Sequence, residues 1–300
     1  MFLKSLLLVM ILSGAVLNIS GCNENTPREN SESEKKIYSD VPEKYHSILK
    51  IFESDQPARI ISISPSTTEL LFEYGVGDRI AGATKPHNYP PEAENLPSIG
   101  DMSLDTERII SLNPDILIGE GNLFAGMVEN IKDLGIPVLL FDTRSKDDLM
   151  DNLKVLDHLF NMTSGQELIQ STQTILSGIT RPNDPPTVAA VISSSPIILA
   201  AGDSYLVNLI EISGGKSVTS DTPGDYVTYS REDLIIANPE IIIYTFEGTG
   251  LDIQRDETLS GLTAIKNDRG IKIDSDVVLR PTLRSIREGT YLLQHAFFGK

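Results

Sequence analysis

Two stretches of this chain share one pattern: residues 107–118 read ERIISLNPDILI, and residues 232–243 read EDLIIANPEIII. Each begins with Glu, has an Asn-Pro pair starting six residues later, and ends in an apolar run. An Asn-Pro pair favours the end of a helix, and a short apolar run after it is typical of a buried strand. The repetition therefore predicts two lobes of similar build. Alternatively, the two αβ units resemble each other only because such units pack alike.

The residues around this repeat alternate between strand-like and helix-like patterns. Short apolar runs predict strands at residues 59–64, 115–119, 138–141, 188–192, 240–245 and 271–273. Helical spacing of apolar residues predicts helices at 66–74, 127–134, 147–160 and 205–212. Alternation of this kind is typical of an α/β protein and here predicts two open α/β sheets. We expect an N-terminal α/β lobe at residues 57–143, a helical connector at 144–185, interrupted near residues 161–164, and a C-terminal α/β lobe at 186–300.

The composition excludes several classes of function. The 300 residues are 40% hydrophobic and 22% charged, which supplies enough apolar surface for a globular core. Acidic residues outnumber basic ones by 42 to 25, and the formal net charge is −17. That balance argues against the clustered Lys and Arg that hold a protein on nucleic acid. Cys22 is the only cysteine, which excludes an internal disulfide and a cysteine-based zinc site.

The N-terminus predicts export and lipid anchoring. A positively charged start is followed by an apolar run at residues 6–17, which is shorter than the about 20 residues that span a bilayer. The run leads to Ile19-Ser-Gly-Cys22, which resembles the lipobox of bacterial lipoproteins. The resemblance implies a signal peptide at residues 1–21 and lipid on Cys22. Residues 22–56 begin with a polar stretch that predicts a flexible tether. The alternatives are a plain signal peptide with an incidental cysteine, or an uncleaved anchor.

Several blocks of sequence, taken together and in order, resemble one protein family. They lie at residues 59–71, 88–93, 107–115, 203–215, 230–234 and 279–284. In these blocks the chain is similar to the helical-backbone substrate-binding proteins of ABC importers, of the cobalamin and iron–siderophore type. The resemblance runs from about residue 57 to residue 298. It implies two open α/β lobes joined by a single long inter-lobe helix, with the ligand cleft between the lobes.

The resemblance also implies a function. The chain would be an extracytoplasmic lipoprotein on the cell membrane that captures a metal chelate, namely a ferric siderophore, a corrinoid such as cobalamin, or haem. It would deliver the chelate to an ABC permease dimer with its ATPase. Glu107 and Glu232 match the two glutamates, one in each lobe, that dock onto permease arginines. Each also fits the first turn of its predicted helix, where the helix dipole favours any carboxylate. We expect a monomer that contacts the membrane only through its lipid and binds no nucleic acid.

The expected ligand-binding residues come from loops and helix starts that match the family's cleft. They are Ser66, Thr67, His87, Asn88, Tyr89, Gly100, Asp101 and Asn122 in the first lobe, and Tyr205, Tyr226, Phe246 and Arg280 in the second. The helix predicted after Pro65 would present free backbone N–H groups to an anionic or amide part of a ligand. Structural alternatives remain for these residues. Ser66 also fits a capping box with Glu69. Arg280 could pair with Asp274 or a neighbour rather than with a ligand.

Two departures from the family's sequence pattern narrow the range of expected ligands. The family often has an aromatic residue where this chain has Pro86, and its cobalamin binders often stack a tryptophan on the ligand, whereas this chain has no tryptophan. Cobalamin is therefore less well supported than the family name suggests. His87 could approach a chelated metal or act only in hydrogen bonding. Capture of a bare metal ion needs three or four converging ligands, and the matched loops supply only His87, Asp101 and Glu120, so we expect no metal site and no cofactor.

An extracellular hydrolase and a sensory or adhesion module on the same fold are the competing interpretations. The sequence has no Gly-x-Ser-x-Gly elbow, no P-loop and no Gly-x-Gly-x-x-Gly turn. Ser66, His87 and Asp101 can be drawn as a triad, but their spacing does not require one. We therefore expect no catalytic residues and no enzyme activity. The sequence leaves the sensory or adhesion module open.

Overall fold

The computed structural model describes residues 38–299, except residues 102, 122–130, 132–134 and 247–248. The expected signal peptide, Cys22 and the polar start of the tether lie outside the described residues, as does most of the helix predicted at 127–134. In the described part, no helix is both long enough and apolar enough to cross a membrane. The first described helix is α1 (His46–Ile51), which follows a 3₁₀ turn at Glu43–Tyr45.

The first sheet consists of four parallel strands in the order β2-β1-β3-β4. They are β1 (Ile60–Ser62), β2 (Ile80–Ala83), β3 (Ile116–Glu120) and β4 (Val138–Phe141). Helix α2 (Pro65–Tyr74) follows β1, and helix α3 (Thr106–Ser111) precedes β3. Short 3₁₀ segments lie at Gly77–Arg79 and Pro91–Asn95. Parallel strands are covered on both faces, which is why the strands predicted from short apolar runs are found here.

Two helices, α4 (Lys146–Phe160) and α5 (Ser164–Ser177), form the connector in place of the single long helix that the resemblance implies, and they are separated where the sequence predicts an interruption. Asn161 ends α4 in a left-handed conformation with φ 48°. The N-cap residue of α5 makes no side-chain cap. Instead, the carboxylate of Asp157 in α4 accepts hydrogen bonds from the backbone N–H groups of Gly165 (2.7 Å) and Gln166 (3.1 Å). The hydroxyl of Tyr74 donates to the same carboxylate (2.9 Å), so this one carboxylate joins α2, α4 and α5.

The second sheet is mixed, with the order β10-β9-β5-β6-β8 and with β7 also paired to β5. Its strands are β5 (Thr187–Ser194), β6 (Ile197–Ala200), β7 (Lys216–Ser217), β8 (Tyr226–Thr228), β9 (Ile241–Tyr244) and β10 (Gly270–Lys272). β6 is antiparallel to β5 and β8, and the other pairs are parallel. Its helices are α6 (Tyr205–Ile212), α7 (Arg231–Ala237), α8 (Thr249–Arg255), α9 (Thr263–Lys266), α10 (Ser275–Val278) and α11 (Thr290–Phe298), with a 3₁₀ turn at Glu257–Leu259 and a π-helical segment at Ser285–Gly289 before α11.

The two repeated stretches fold alike. The first forms α3 and β3, and the second forms α7 and β9. In each copy the Asn before the Pro has a left-handed backbone, with φ 46° at Asn113 and 38° at Asn238. Asn adopts this conformation more readily than most residues that carry a side chain, which explains why it recurs there. The predicted order of helix, break and strand is confirmed in both copies.

One buried cluster of apolar side chains connects both sheets with α2, α4, α6 and α11. Two smaller clusters cover the other faces of the sheets, one with α3 and one with α7. Helices α3 and α7 each bury a single side chain, Ile109 and Leu234. The residues that follow, Ile110 and Ile235, are therefore left exposed.

Candidate ligand-binding cleft

A cavity of about 350 Å³ lies where loops of the two lobes meet. Its first-lobe wall comes from residues at or just beyond the carboxyl ends of all four strands of the first sheet, which is where open parallel sheets bind ligands. The second-lobe wall comes from the loops around β6, β8 and β9, from the start of α6 and from α10. The lining residues are Ser64, Pro65, Ser66, Pro86, Glu120, Thr143, Ala200, Ser204, Tyr205, Leu206, Asp225, Tyr226, Phe246, Ser275, Asp276, Leu279, Arg280 and Pro281.

The start of α2 supplies hydroxyl groups to the cavity. Ser64 is the N-cap: its hydroxyl accepts from the backbone N–H of Thr67 (3.2 Å) and donates to Thr67 Oγ1 (2.7 Å). The Ser66 hydroxyl lies 3.3 Å from that of Ser64 and lines the cavity. The capping box between Ser66 and Glu69 is wrong, because Ser64 holds the cap position and Glu69 bonds to the second lobe. Thr67 is fully buried behind Ser64 and does not line the cavity.

Glu120 is a buried carboxyl in the cavity wall. It is the last residue of β3 and is 3% exposed. Thr143 donates to it from its hydroxyl (2.9 Å) and its backbone N–H (3.3 Å), and Asn152 donates to the Thr143 hydroxyl (2.8 Å). Burial raises the pKa of Glu120 to about 7, and the bonds from Thr143 oppose that rise because they favour the charged form. Among the described residues, Glu120 forms hydrogen bonds but no ion pair.

Arg280 lies at the opposite wall and is 8% exposed. Its guanidinium donates to Asp276 (2.8 Å) and to the side-chain oxygen of Asn88 (2.9 Å), and it lies 3.8 Å from Glu69. The Asn88 amide also donates to Asp276 (2.8 Å). The sequence alternative that Arg280 pairs with Asp274 or a neighbour is met by the neighbour Asp276, since Asp274 caps α10. The structure thus brings the two expected site residues Asn88 and Arg280 into contact across the lobes.

Further contacts join the lobes beside Arg280. The buried carboxyl of Glu69 accepts from the hydroxyl of Thr282 (2.9 Å), and burial raises its pKa to about 7 although Thr282 and nearby arginines lower it. Arg287 pairs with Glu73. The guanidinium of Arg284 stacks over the ring of Tyr89 at 4.1 Å. We call this set the inter-lobe polar band; its residues are Glu69, Glu73, Asn88 and Tyr89 in the first lobe, and Asp276, Arg280, Thr282, Arg284 and Arg287 in the second.

A second set of contacts also joins the lobes. Arg144, which follows β4, pairs with Asp225 of the second lobe at 3.0 Å and with Asp142 at 2.9 Å. The backbone N–H of Lys146, at the start of α4, donates to the side-chain oxygen of Asn208 in α6 (3.0 Å). The connector is thus fastened to both lobes next to the cavity.

Three expected aromatic residues line the cavity, in two different environments. Tyr205 is 7% exposed, and its hydroxyl lies 2.6 Å from that of Ser285. Tyr226 and Phe246 are 56% and 45% exposed. Their rings are therefore accessible surfaces, whereas the hydroxyl of Tyr205 is already bonded within the second lobe.

His87 does not line the cavity. It lies in a separate open depression beside Lys85 and Glu94, and Pro86 contributes to both. The His87 Nε2 atom is 3.2 Å from the carbonyl oxygen of Leu96, and the buried Nδ1 atom has no hydrogen-bond partner among the described residues. Burial and the charge of Lys85 lower the pKa of His87, so the neutral ring is favoured. The contact with Leu96 agrees with the hydrogen-bonding alternative for His87.

The remaining expected site residues do not line the cavity in the part of the chain that the structure describes. Gly100 has φ +116° and a Cβ there would lie 2.0 Å from the carbonyl oxygen of Ser103, so glycine is required by the local turn. Asp101 is exposed next to it and is not in the cavity lining. Tyr89 belongs to the inter-lobe polar band, and Asn122 lies outside the described residues. Within the ranges that the structure describes, no three His, Cys, Asp or Glu side chains converge as metal ligands would.

Comparison with known proteins gives the family. The periplasmic binding protein family matches residues 60–277, and the chain belongs to this family. It is 24% identical over 302 aligned positions to the uncharacterized ABC transporter substrate-binding lipoprotein YvrC of Bacillus subtilis strain 168, covering 95% of this chain and 94% of that protein. It is 27% identical over 244 positions to the vitamin B12-binding protein of Vibrio parahaemolyticus, covering 79% and 88%.

A solved structure agrees with this assignment. A possible iron-binding (periplasmic solute-binding) protein from Staphylococcus epidermidis ATCC 12228 superposes with a TM-score of 0.71 and 26% identity, over 81% of this chain and 100% of that one. These comparisons confirm the predicted family and the two-lobe α/β fold. The chain is a substrate-binding protein of the kind that works outside the cytoplasm with the permease and ATPase of an ABC transporter, and the relatives named here are binding proteins.

Proposed function

We propose that this chain captures a metal chelate in the cleft and delivers it to the permease of an ABC importer. The observation that carries the proposal is the cavity of about 350 Å³ at the carboxyl ends of all four first-sheet strands, bounded on its other side by the second lobe. Small-molecule sites typically have volumes of about 300–1,000 Å³. The named relatives support the chelate class, since one binds vitamin B12 and one is a possible iron-binding protein. The candidates are a ferric siderophore, a corrinoid and haem.

The proposed ligand contacts follow the lining of the cavity. Ser66, Tyr226, Phe246 and Arg280 line it directly, and Tyr205 forms part of its floor in the second lobe. Exposed aromatic rings can cover the apolar faces of a chelate, and the Ser66 hydroxyl at the start of α2 can donate to its oxygen atoms. His87, Gly100 and Asp101 lie outside this lining, so any contact that they make requires a ligand that extends beyond the cavity.

Docking on the permease is supported by matching surfaces on the two lobes. Glu107 and Glu232 are exposed, and each is the second residue of its helix. Ile110 and Ile235, at equivalent positions of the repeat, are 51% and 46% exposed one turn later. Each lobe therefore presents a carboxylate beside an apolar side chain, a combination suited to a bidentate contact with arginine at the edge of an apolar patch.

The remaining parts of the proposal concern attachment and organisation. Lipid on Cys22 would hold the protein at the membrane, and the relative from Bacillus subtilis is a lipoprotein by name. The two sheets span residues 60–141 and 187–272, which supports lobes at 57–143 and 186–300 with the connector between them. We propose that the protein acts as a monomer, with one docking glutamate in each lobe.

Calorimetric titration of the full chain in a mild detergent tests capture of a chelate. The ligands are cobalamin, cobinamide, haem, a ferric hydroxamate and a ferric catecholate. We expect submicromolar binding of one of these classes, because a built cleft between two lobes encloses its ligand on both sides. A folded sample that binds none would refute the proposed ligand class. Binding without stimulated transport in proteoliposomes would instead favour the sensory module.

Charge reversal tests docking separately. The double variant Glu107→Lys/Glu232→Lys should lose ligand-stimulated transport in proteoliposomes with its permease and ATPase, while its affinity for the chelate stays within about twofold of wild type. Glu53→Lys, an exposed residue after α1, is the matched control and should transport normally. If the affinity of the double variant falls as far as its transport, these glutamates serve the cleft or the fold and not docking.

A further inference from the structure

The charged residues in the cavity wall do not balance. Among the described lining residues, the charged side chains are Glu120, Asp225, Asp276 and Arg280. Arg280 is paired with Asp276 at 2.8 Å, and Asp225 is paired at 3.0 Å with Arg144, which lies outside the lining. Glu120 is therefore the lining carboxyl that no described cation offsets.

The surroundings of Glu120 offer it neutral donors and negative charges. Thr143 bonds both of its oxygens, and Asn152 holds Thr143 in place. The charged neighbours that act on it most strongly, Asp142 and Asp148, are both negative. A carboxylate that is 3% exposed and has no cation beside it destabilises the folded chain. Because Glu120 lies in the wall of a ligand cavity, a cationic ligand could offset that free energy.

The other wall cannot favour an anion. Arg280 is its cation, but Asp276, Asn88 and the nearby Glu69 already share the guanidinium. Tyr226 and Phe246 present accessible rings in the same cavity, and aromatic faces attract cations. A cationic group on a ligand would therefore find both a carboxylate and aromatic faces, whereas an anionic group would find the N-terminus of α2 but no available cation among the described lining residues.

We propose that Glu120 selects the charge of the chelate: the cleft binds positively charged chelates that present an N–H donor, and it discriminates against those that carry carboxylates. This inference rests on the proposed function and names the ligand class within it. Two sources have the required chemistry, a hydroxamate siderophore with a free amine and a corrinoid with a net positive charge. Both would place a donor against Glu120, and a charge-assisted hydrogen bond of this kind is stronger than a neutral one.

The test uses chelates that share one metal-binding scaffold and carry different net charges. Ferrioxamine B is a cation through its free ammonium, its N-acetyl derivative is neutral, and its N-succinyl derivative is an anion. For the corrinoid source, diaquacobinamide is a cation with amide side chains, and cobyrinic acid carries carboxylates in their place. The full chain, in a mild detergent at about pH 8, is titrated with each by calorimetry, because burial raises the pKa of Glu120 to about 7 and the carboxylate predominates above it.

We expect the cation of the binding scaffold to bind at least about tenfold more tightly than its anion, with the neutral derivative between them. Glu120→Gln keeps the shape of the side chain and should reduce this preference at least about fivefold, whereas the exposed control Glu53→Gln should leave it unchanged. Should Glu120→Gln fail to fold, the affinities of the wild-type chain for the cation, the neutral derivative and the anion still test the proposed charge preference.

The outcomes separate this inference from the proposed function. If the anion binds as tightly as the cation, or if Glu120→Gln leaves the preference intact, selection by Glu120 is refuted while capture of a chelate stands. If only one scaffold binds and shows the expected order, that scaffold is the source of the ligand. If a folded chain binds no member of either series, and haem and a ferric catecholate also fail to bind, both the proposed function and this inference are overturned.

Discussion

Glu69 makes the stability of this protein depend on pH in an unusual direction. Its carboxyl is fully buried in α2; one oxygen accepts from Thr282, and the other lies 3.8 Å from Arg280 without a hydrogen bond. Burial is the largest cause of its raised pKa, about 7 in place of the ordinary 4.5. The folded chain therefore holds a proton on Glu69 that the unfolded chain releases at a lower pH.

The size of the effect follows from that difference in pKa. Below pH 4.5 the carboxyl is protonated in both the folded and the unfolded chain, so its titration does not change the free energy of unfolding. As the pH rises from 4.5 to about 7, only the unfolded chain releases the proton, and the free energy of unfolding falls. At about 1.4 kcal/mol for each pKa unit, the loss reaches about 3 kcal/mol above pH 7. Glu69→Gln mimics the protonated acid and should remove this loss.

Urea unfolding followed by circular dichroism at about pH 5 and about pH 8 measures the difference. We expect Glu69→Gln to lie within about 1 kcal/mol of wild type at the lower pH and to be more stable by about 3 kcal/mol at the higher one. Glu120 titrates in both proteins, so its contribution cancels in the comparison, and Glu53→Gln should follow wild type at both values. If the stabilities of Glu69→Gln and wild type change in parallel to within about 1 kcal/mol, Glu69 is not held protonated as the geometry implies.

Three further predictions concern the Asp157 carboxylate at the start of α5, the repeated Asn-Pro pair and the cavity. Asp157→Ala should lower the free energy of unfolding by about 3 kcal/mol in urea, because it leaves the buried N–H of Gly165 and the buried hydroxyl of Tyr74 without an acceptor, whereas the N–H of Gln166 keeps the carbonyl of Thr163; Asp157→Asn should lose less. Asn113→Ala should cost about 1 kcal/mol by the same measurement and Asn113→Gly almost nothing, since φ is 46° there; equal costs would contradict a backbone origin. Tyr226→Ala should weaken chelate binding at least about tenfold in calorimetry, whereas Tyr291→Ala, an exposed tyrosine on α11, should not.

Much of the fold was predictable because its strands are short apolar runs. The pattern of the repeat predicts β3 and β9, and the helix at α6 is predicted with the bounds that the structure shows. Strand β2 was not predicted, since Ile-Ala-Gly-Ala has little apolar surface of its own. Its Gly82 is enclosed by Leu112 and Ile99, where a Cβ would come within 2.7 Å of a side-chain carbon. What makes this segment a strand is packing against residues distant in sequence, which local spacing does not reveal.

The candidate site was less predictable for the same reason. Glu69 looks like part of a capping box when only its neighbours are read, yet its bonding partner Thr282 is 213 residues away. Glu120 ends an apolar run and looks like a strand boundary, whereas its burial depends on Thr143 and Asn152 from the next strand and helix. The family resemblance places Glu120 in a loop that matches the cleft, and a carboxylate at the end of a predicted parallel strand is a local signal for the same position.

The inter-lobe polar band sets how freely the cleft can open. Parting the lobes on this side would break the bonds Glu69–Thr282 (2.9 Å) and Asn88–Arg280 (2.9 Å), the pair Glu73–Arg287, and the stacking of Arg284 on Tyr89. At about 0.5–1.5 kcal/mol for each net contact, the open form lies about 2–6 kcal/mol above the closed one. Spontaneous excursions would then occupy roughly a few per cent of the molecules or fewer. Under the proposed function, a transporter that parts the two lobes to release the ligand has to supply this free energy.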